Sequence, residues 1–339
     1  MKQFDFAVLI GRYQPFHAGH AALFAHARKI ANHVLIILGS YRASRSVRNP
    51  WNAAEREELI RAALADVPAD AYSIVPVHDS AYNFTDWLIR IQREVRRRAG
   101  QGSVAIVGHY KDDTSYYLNY FPRWHLETLG EQAGGISSTA LRDAYFRGRG
   151  EEVRPHVSQA AFAWLERWKA DTLYRTLSDE YEFIRKYRER WAAAPYPPTF
   201  VTADAVVFAL GHVLLVRRKM NPGQGRYAIP GGFVTVDETI EHACLRELHE
   251  ETNLDVGQAQ LKGSIKMSQV FDHPLRDPRG RMITHAFMFD LSVKTLPAVK
   301  AGDDAAEVMW FPLHELEDAE ESFFSDHAQI IKFFVNRMK

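Results

Sequence analysis

The sequence has a single cysteine, no net charge and no long apolar run. With only Cys244, an intrachain disulfide framework is excluded, which fits a reducing compartment. No stretch approaches the ~18 apolar residues of a membrane span, and Phe6-Ala7-Val8-Leu9-Ile10 is too short for a signal-peptide core. A cytoplasmic chain without a membrane partner is expected. Lys plus Arg and Asp plus Glu both total 42, so charge gives no global case for a nucleic-acid partner. The balance is uneven along the chain. Residues 1–150 carry 19 basic and 14 acidic side chains, and the remainder carries 23 and 28.

What is present suits two soluble domains: 339 residues, 46% apolar and 25% charged. Apolar runs at 6–10, 34–38, 72–77 and 104–108 predict buried parallel strands, with helices expected at 20–31 and 84–98. That alternation predicts an α/β domain with a doubly wound, Rossmann-like parallel sheet and a crevice at the strands' C-terminal ends. From 156 to 192 the pattern turns helical and aromatic, with Trp164, Trp168, Tyr181, Phe183, Tyr187 and Trp191, read as interdomain packing rather than a cofactor box. It stops at Pro195, Pro197 and Pro198, which forbid helix continuation. Paired strands at 200–208 and 212–217, a helix at 239–252 and β-rich segments at 263–271 and 283–293 predict an α+β second domain. The expected divisions are 1–155, a connector at 156–194, and 195–339. The two halves share no period, so they are different modules.

The run Gly11-Arg12-Tyr13-Gln14-Pro15-Phe16-His17-Ala18-Gly19-His20 joins the first strand to the first helix. A glycine-containing loop there turns backbone N–H groups toward an anion. His17 and His20, three apart, can share a helix face and, with Arg12, donate to phosphate oxygens. Spacing alone leaves a pair of structural histidines open. A second run, Gly135-Ile136-Ser137-Ser138-Thr139-Ala140-Leu141-Arg142, supplies hydroxyls at another helix start with an arginine one turn inside. Together the two runs resemble the HIGH-motif nucleotidyltransferase superfamily. With Ser46-Val47-Arg48-Asn49-Pro50 and Asn83-Phe84-Thr85-Asp86-Trp87, residues 4–150 look like archaeal-type nicotinamide-mononucleotide adenylyltransferases. The resemblance implies that ATP and nicotinamide mononucleotide (NMN) give NAD and pyrophosphate with Mg²⁺. It implies that His17 and His20 contact the ATP phosphates, Arg48 and Arg142 hold the triphosphate, and Arg12 holds the mononucleotide phosphate. Trp87 would stack on the nicotinamide ring with Asn83 nearby, and Gly11, Gln14, Phe16, Ser137, Ser138 and Thr139 would line the pocket. Gly108 to Asp113 departs from the archaeal pattern, so adenine and ribose contacts are not assigned there. Arg93, Arg96, Arg97 and Arg98 read as a solvated helix end.

Starting at Gly232 the spacing is Gly-x5-Glu238-x7-Arg246-Glu247-Leu248-x-Glu250-Glu251-x-Asn253-Leu254. Glu247, Glu250 and Glu251 share one helix face, where unpaired carboxylates repel and divalent cations such as Mg²⁺ or Mn²⁺ relieve the repulsion. Glu238 joins the expected metal set. Arg246 is expected to fix a glutamate by a salt bridge, and Cys244 and Leu248 to be buried packing. The pattern resembles the Nudix box, GX5EX7REUXEEXGU, with Asn253 replacing its last glycine; asparagine is the next-best left-handed C-cap. That resemblance implies metal-assisted hydrolysis of a nucleoside diphosphate linked to another group. Asp272-His273-Pro274 and Arg276-Asp277-Pro278-Arg279-Gly280-Arg281 make 195–339 look like ADP-ribose pyrophosphatases, with Gly232 at the substrate. Arg217 and Arg218 are either ribose-phosphate ligands or exposed charge. Glu307 is one candidate for the base.

The domain order resembles bacterial bifunctional enzymes that make NAD and cleave ADP-ribose to AMP and ribose 5-phosphate. Ring- and dimer-forming relatives imply self-association. Two rivals are another HIGH-family transferase fused to a Nudix domain for NADH or other dinucleotides, and an ADP-ribose-sensing regulator. Against the latter, about 30 residues follow Trp310-Phe311-Pro312, too few for a DNA-binding module, and every acidic box position is retained.

Overall fold

In the computed structural model the alternating runs become β1 (Phe4–Gly11), α1 (Ala18–Ile30), β2 (Ala31–Leu38), α2 (Ala53–Ala63), β3 (Tyr72–Pro76), α3 (Phe84–Ala99), β4 (Val104–Gly108) and β5 (His125–Thr128). The structure describes residues 2–109, 113–129, 137–302 and 305–338. The five strands form one parallel sheet in the order β3-β2-β1-β4-β5. Strand order reverses between β1 and β4, which opens a crevice beyond their C-terminal ends. β2 shows why the runs are continuously apolar. Val34, Ile36 and Leu38 join Phe24 and Ala27 of α1 and Ile60 of α2, while Leu35 and Ile37 join Ile91 and Val95 of α3 on the other face. Each such side chain, removed from water, contributes about 1.5–3 kcal/mol.

Two elements around the first sheet escaped the sequence pattern. β5 has four residues, too few for periodicity. α2 begins with a capping box in which the Asn52 side chain accepts from the Glu55 N–H and Glu55 accepts from the Asn52 N–H. The chain continues through α4 (Ser138–Phe146), α5 (Gly150–Val153), α6 (Gln159–Trp168) and α7 (Thr172–Glu189).

Beyond the prolines come β6 (Thr199–Ala209), β7 (His212–Arg218), β8 (Tyr227–Ala228), β9 (Gly231–Phe233), α8 (Ile240–Thr252), α9 (Gln258–Gly263), β10 (Ile265–Phe271), β11 (Arg281–Asp290), β12 (Ala305–Pro312) and α10 (His327–Val335). The second sheet runs β10-β11-β6-β7-β12, with β8 on β7 and β9 on β6. It is mixed: β11 and β6 are parallel and the other pairings antiparallel. Alternation along β6 sends Ala203, Ala205 and Val207 into the core shared with Ala243, Cys244 and Leu248 of α8. Small residues there let the helix lie close to the sheet. The Cys244 thiol points at the Asp204 carbonyl at 3.4 Å, and burial pushes its pKa up, the state of a packing cysteine.

The chain divides into two compact units, Met1–Ser178 and Asp179–Lys339, with the division inside α7. Each unit takes a share of the aromatic helical stretch. Trp164 and Trp168 of α6 donate their indole N–H groups to Glu58 and Glu55 of α2, within the first unit. Tyr187 and Trp191 meet the Phe200 ring within the second. Among the described residues, no helix is long and apolar enough to cross a membrane.

Candidate functional sites

The first site is built where β1 ends. A Cβ on Gly11 would lie 2.9 Å from the Tyr13 ring, so glycine permits the ring to fold back while Tyr13 takes a left-handed φ of 52°. The loop then delivers His17 as the N-cap of α1. Its Nδ1 accepts from the Gly19 N–H at 3.1 Å, and Nδ1 of His20 accepts from the His17 N–H at 3.3 Å. The two rings stand 3.9 Å apart. Because each Nδ1 is an acceptor, each neutral ring carries its proton on Nε2 and is a donor there. A structural and a chemical role therefore coexist on the same imidazoles.

Three arginines gather beside this turn. Arg142, 6% exposed, donates to the carbonyls of Gln14 at 2.7 Å and Val47 at 3.2 Å and to the Thr139 hydroxyl at 3.2 Å. Arg12 donates to the Asn49 side chain at 3.1 Å. Burial, and then repulsion from Arg12 and Arg48, push Arg142 down to about 9. Burial and then Arg12 lower Arg48 to about 10, with Asp79 opposing. All remain cations near neutrality. A half-buried group of like charges is unfavourable alone and is relieved by an anion.

Other expected ligands are engaged in shaping the walls. The Gln14 amide donates to the Trp51 carbonyl at 2.9 Å and accepts from the Trp51 N–H at 3.2 Å, and Phe16 is 1% exposed. Asn83 caps α3 by accepting from the Asp86 N–H. Trp87 is half-buried, stacked on Phe84 at 5.5 Å and edge-on to Tyr117 at 5.7 Å. Ser137 caps α4 through the Thr139 N–H, and Ser138 is its first residue. Gly135 and Ile136, and Tyr110 to Asp112, lie outside the described residues. The solvated arginine run ends α3, where Arg97 and Arg98 pair with Glu94.

Sequence reasoning missed Asp79 and Arg56. Asp79 accepts from the Ser40 N–H at 3.0 Å and sets its charge against Arg12 and Arg48. Arg56, 1% exposed, donates to the carbonyls of Arg12, Gly39 and Ser40 and ties the ends of β1 and β2 together. The Asn52-x-x-Glu55 capping signature was the readable clue to the helix that carries Arg56.

The second site lies along α8. Thr239 caps its start, and Asn253 ends it in the left-handed conformation at φ 41°. Arg246 holds Glu238 at 2.7 and 3.0 Å, Glu247 at 2.8 Å and Glu250 at 2.9 Å. That pairing holds Glu238 down at about 2. Glu251 is different. It accepts from the Gly231 N–H at 3.0 Å, and burial, reinforced by the Glu247 charge, pushes it up to about 8. A Cβ on Gly232 would come within 2.4 Å of the Glu247 carboxylate, so glycine is what lets the turn approach.

Among the described residues, no three acidic, histidine or cysteine side chains already converge on a cation position. The donor set still fits a hard divalent ion. Glu247 and Glu251 are partly buried carboxylates whose pKa values are both raised, and a cation relieves the cause of the shift. It would compete with Arg246 for Glu247 and Glu250.

The two arginines that end β7 separate. Arg217 is engaged with Glu307 at 3.0 Å, the Gly225 carbonyl and the Tyr227 ring and hydroxyl. Arg218 donates to the Pro222 carbonyl at 2.8 Å, lies over the Phe324 ring at 4.3 Å, and feels the charges of Arg279, Glu251, Asp277 and Asp204. Glu307 is committed to Arg217. Asp204 was missed. It is 5% exposed, accepts from the Thr284 hydroxyl at 2.7 Å, and is raised by burial to about 6. One aspartate within the apolar strand Ala203-Asp204-Ala205-Val206-Val207 was the signal.

Comparison with known proteins gives a consistent picture. A cytidylyltransferase-like family model matches residues 8–144 and a Nudix domain model matches 198–334. The nicotinamide/nicotinic acid mononucleotide adenylyltransferase of Acinetobacter baylyi is 31% identical over 182 residues, 53% of this chain and 95% of that protein. The ADP-ribose pyrophosphatase of Methanocaldococcus jannaschii is 39% identical over 152 residues, 45% of this chain and 79% of that protein. A crystal structure from Francisella tularensis, of a bifunctional NMN adenylyltransferase/ADP ribose pyrophosphatase complexed with AMP and a Mn ion, superposes with a TM-score of 0.93. It is 32% identical and covers 98% of this chain and 99% of that one.

Proposed function

The chain belongs to the family of bifunctional NMN adenylyltransferase/ADP-ribose pyrophosphatases, and on that footing we propose that one unit makes NAD and the other hydrolyses ADP-ribose. The functional division we assign is an adenylyltransferase domain at 1–155, a helical connector at 156–194 and a Nudix domain at 195–339. The observation that carries the first assignment is the gathering of Arg12, Arg48 and Arg142 beside two imidazoles presenting Nε2 donors.

In the first reaction a phosphate oxygen of nicotinamide mononucleotide attacks the α-phosphorus of ATP and pyrophosphate leaves. The nucleophile is already anionic, so alignment and charge stabilisation suffice and no base is needed. His17 and His20 donate to the transferring phosphoryl group, Arg48 and Arg142 hold the departing pyrophosphate, and Arg12 the mononucleotide phosphate. Trp87 offers a ring face to the nicotinamide. Apart from Asp79, which is set against Arg12 and Arg48, the described protein groups gathered here are cations and imidazoles, so Mg²⁺ would arrive on the triphosphate.

In the second reaction Glu247, Glu250 and Glu251, with Glu238, would hold Mg²⁺ or Mn²⁺, which supplies charge neutralisation for the diphosphate and acidifies water. Arg246 orients Glu238, Glu247 and Glu250, Gly232 keeps the turn close to Glu247, and Arg218 feels the charge of Glu251. ADP-ribose fits because Arg218 adds a cation beside that glutamate of the acidic helix. Complete retention of the acidic positions favours a hydrolase over a sensor. The partners proposed are small molecules, with neither nucleic acid nor membrane, and self-association is expected of the family. The test is a matched assay of NAD formation from ATP with the mononucleotide and of AMP release from ADP-ribose. Absence of either product from the wild-type chain removes that half of the assignment.

A further inference from the structure

Glu55 makes an unusual number of contacts for one carboxylate. One oxygen accepts from the Asn52 N–H at 2.7 Å, closing the capping box of α2. The pair also grips Arg45, at 3.1 Å to one oxygen and 2.8 Å to the other. The Trp168 indole N–H of α6 donates to the same oxygen that Arg45 bonds at 3.1 Å. A helix start, a loop and the α6 helix thus meet on one group.

The loop concerned bears directly on the first site. Arg45 enters residues 46–49, a turn closed by Ser46 N–H to the Asn49 carbonyl and Asn49 N–H to the Ser46 hydroxyl. That turn contains Arg48. Its Val47 carbonyl receives Arg142, and its Asn49 side chain receives Arg12. All three arginines therefore depend on its position. Arg45 is 11% exposed on its side chain, and its Nε is buried without a partner among the described residues. Without Glu55 the guanidinium would be a nearly buried charge with its counter-ion removed, and the loop would move to resolvate it.

We propose that Glu55 is a positioning residue for the first site, setting the arginine-bearing loop through Arg45, and that α6, through Trp168, belongs to that site's machinery. The idea refines the reading of the first site as a polyphosphate site and rests on it. It implies that the functional limit of the first module extends past 155 to include α6.

The test uses the full chain with Glu55→Gln, Trp168→Phe and Arg45→Met. Glutamine is accepted at this capping-box position, so Glu55→Gln keeps the helix start while removing the charge. Two readouts are taken: pyrophosphate affinity by calorimetry and the KM for ATP. A misplacement of this kind weakens both in Glu55→Gln by roughly 10- to 100-fold. Trp168→Phe moves them the same way by less, and in the Arg45→Met background the Glu55→Gln effect largely disappears. Wild-type pyrophosphate affinity and KM in Glu55→Gln, even with a lower melting temperature, would overturn the proposal, as would full additivity with Arg45→Met. Should Glu55→Gln fail to fold, unchanged values in both other variants overturn it equally. Pyrophosphate binding without NAD formation in the wild-type chain would instead count against the reaction assigned to the site.

Discussion

Gly232 stands so close to Glu247 that a Cβ on the glycine would lie 2.4 Å from the glutamate's carboxyl carbon. The neighbouring Gly231 meets a harder obstacle, since its Cβ would lie 2.4 Å from the Ala203 backbone carbonyl and 2.3 Å from Asp204. The two glycines therefore predict different failures. Gly232→Ala displaces a movable side chain and is expected to lower ADP-ribose hydrolysis at least tenfold with a small change in stability. Gly231→Ala presses on a strand and is expected to lower stability as well, by the roughly 1–3 kcal/mol typical of overpacking, read as a lower melting temperature. Parallel thermal melts and hydrolysis rates decide this, and equal stability in the two variants contradicts it.

How much of this was readable beforehand differs between the sites. The α8 carboxylates, the Arg246 clamp and the left-handed Asn253 were all legible, because they depend on helical spacing within one element. Asp204, Asp79 and Arg56 were not. Each acts across strands or loops distant in sequence, and only pairing and register bring Asp204 beside Gly231. The doubly wound sheet was legible from continuous apolar runs. The α2 helix was not, since Arg56 and its charged neighbours dilute the apolar stripe and leave the capping box at Asn52 and Glu55 as its local sign.

Arg12, Arg48 and Arg142 predict a ligand effect. Pyrophosphate at a hundred times its Kd is expected to stabilise the first unit by about 2.7 kcal/mol. Arg48→Met relieves the repulsion that lowers Arg142, so it is expected to weaken pyrophosphate binding tenfold or more while costing the ligand-free protein little stability. Calorimetric titration and thermal melts test both. Undiminished affinity, or a large loss of ligand-free stability, contradicts the account.

Glu251 predicts a pH dependence with a definite sign. Its carboxyl is raised to about 8 in the folded chain from an ordinary 4.5, so the folded state retains a proton that the unfolded state releases. Its contribution is fully favourable below about 4.5 and is lost as pH rises toward 8. Without divalent metal, Glu251→Gln is expected to flatten that decline. Mg²⁺ or Mn²⁺ is expected to raise the wild-type melting temperature more at pH 8 than at pH 6, because less proton must be displaced. Identical pH slopes with and without the carboxylate contradict it.

The central claim is that two independent chemistries reside on one chain. It is tested most directly by measuring both activities in His17→Ala and Glu251→Gln. The account predicts that His17→Ala lowers NAD formation by roughly 100-fold or more, the typical effect of removing a transition-state donor, and leaves ADP-ribose hydrolysis unchanged. Glu251→Gln is predicted to do the reverse. Loss of both activities in either variant, or full retention of the targeted one, would contradict it.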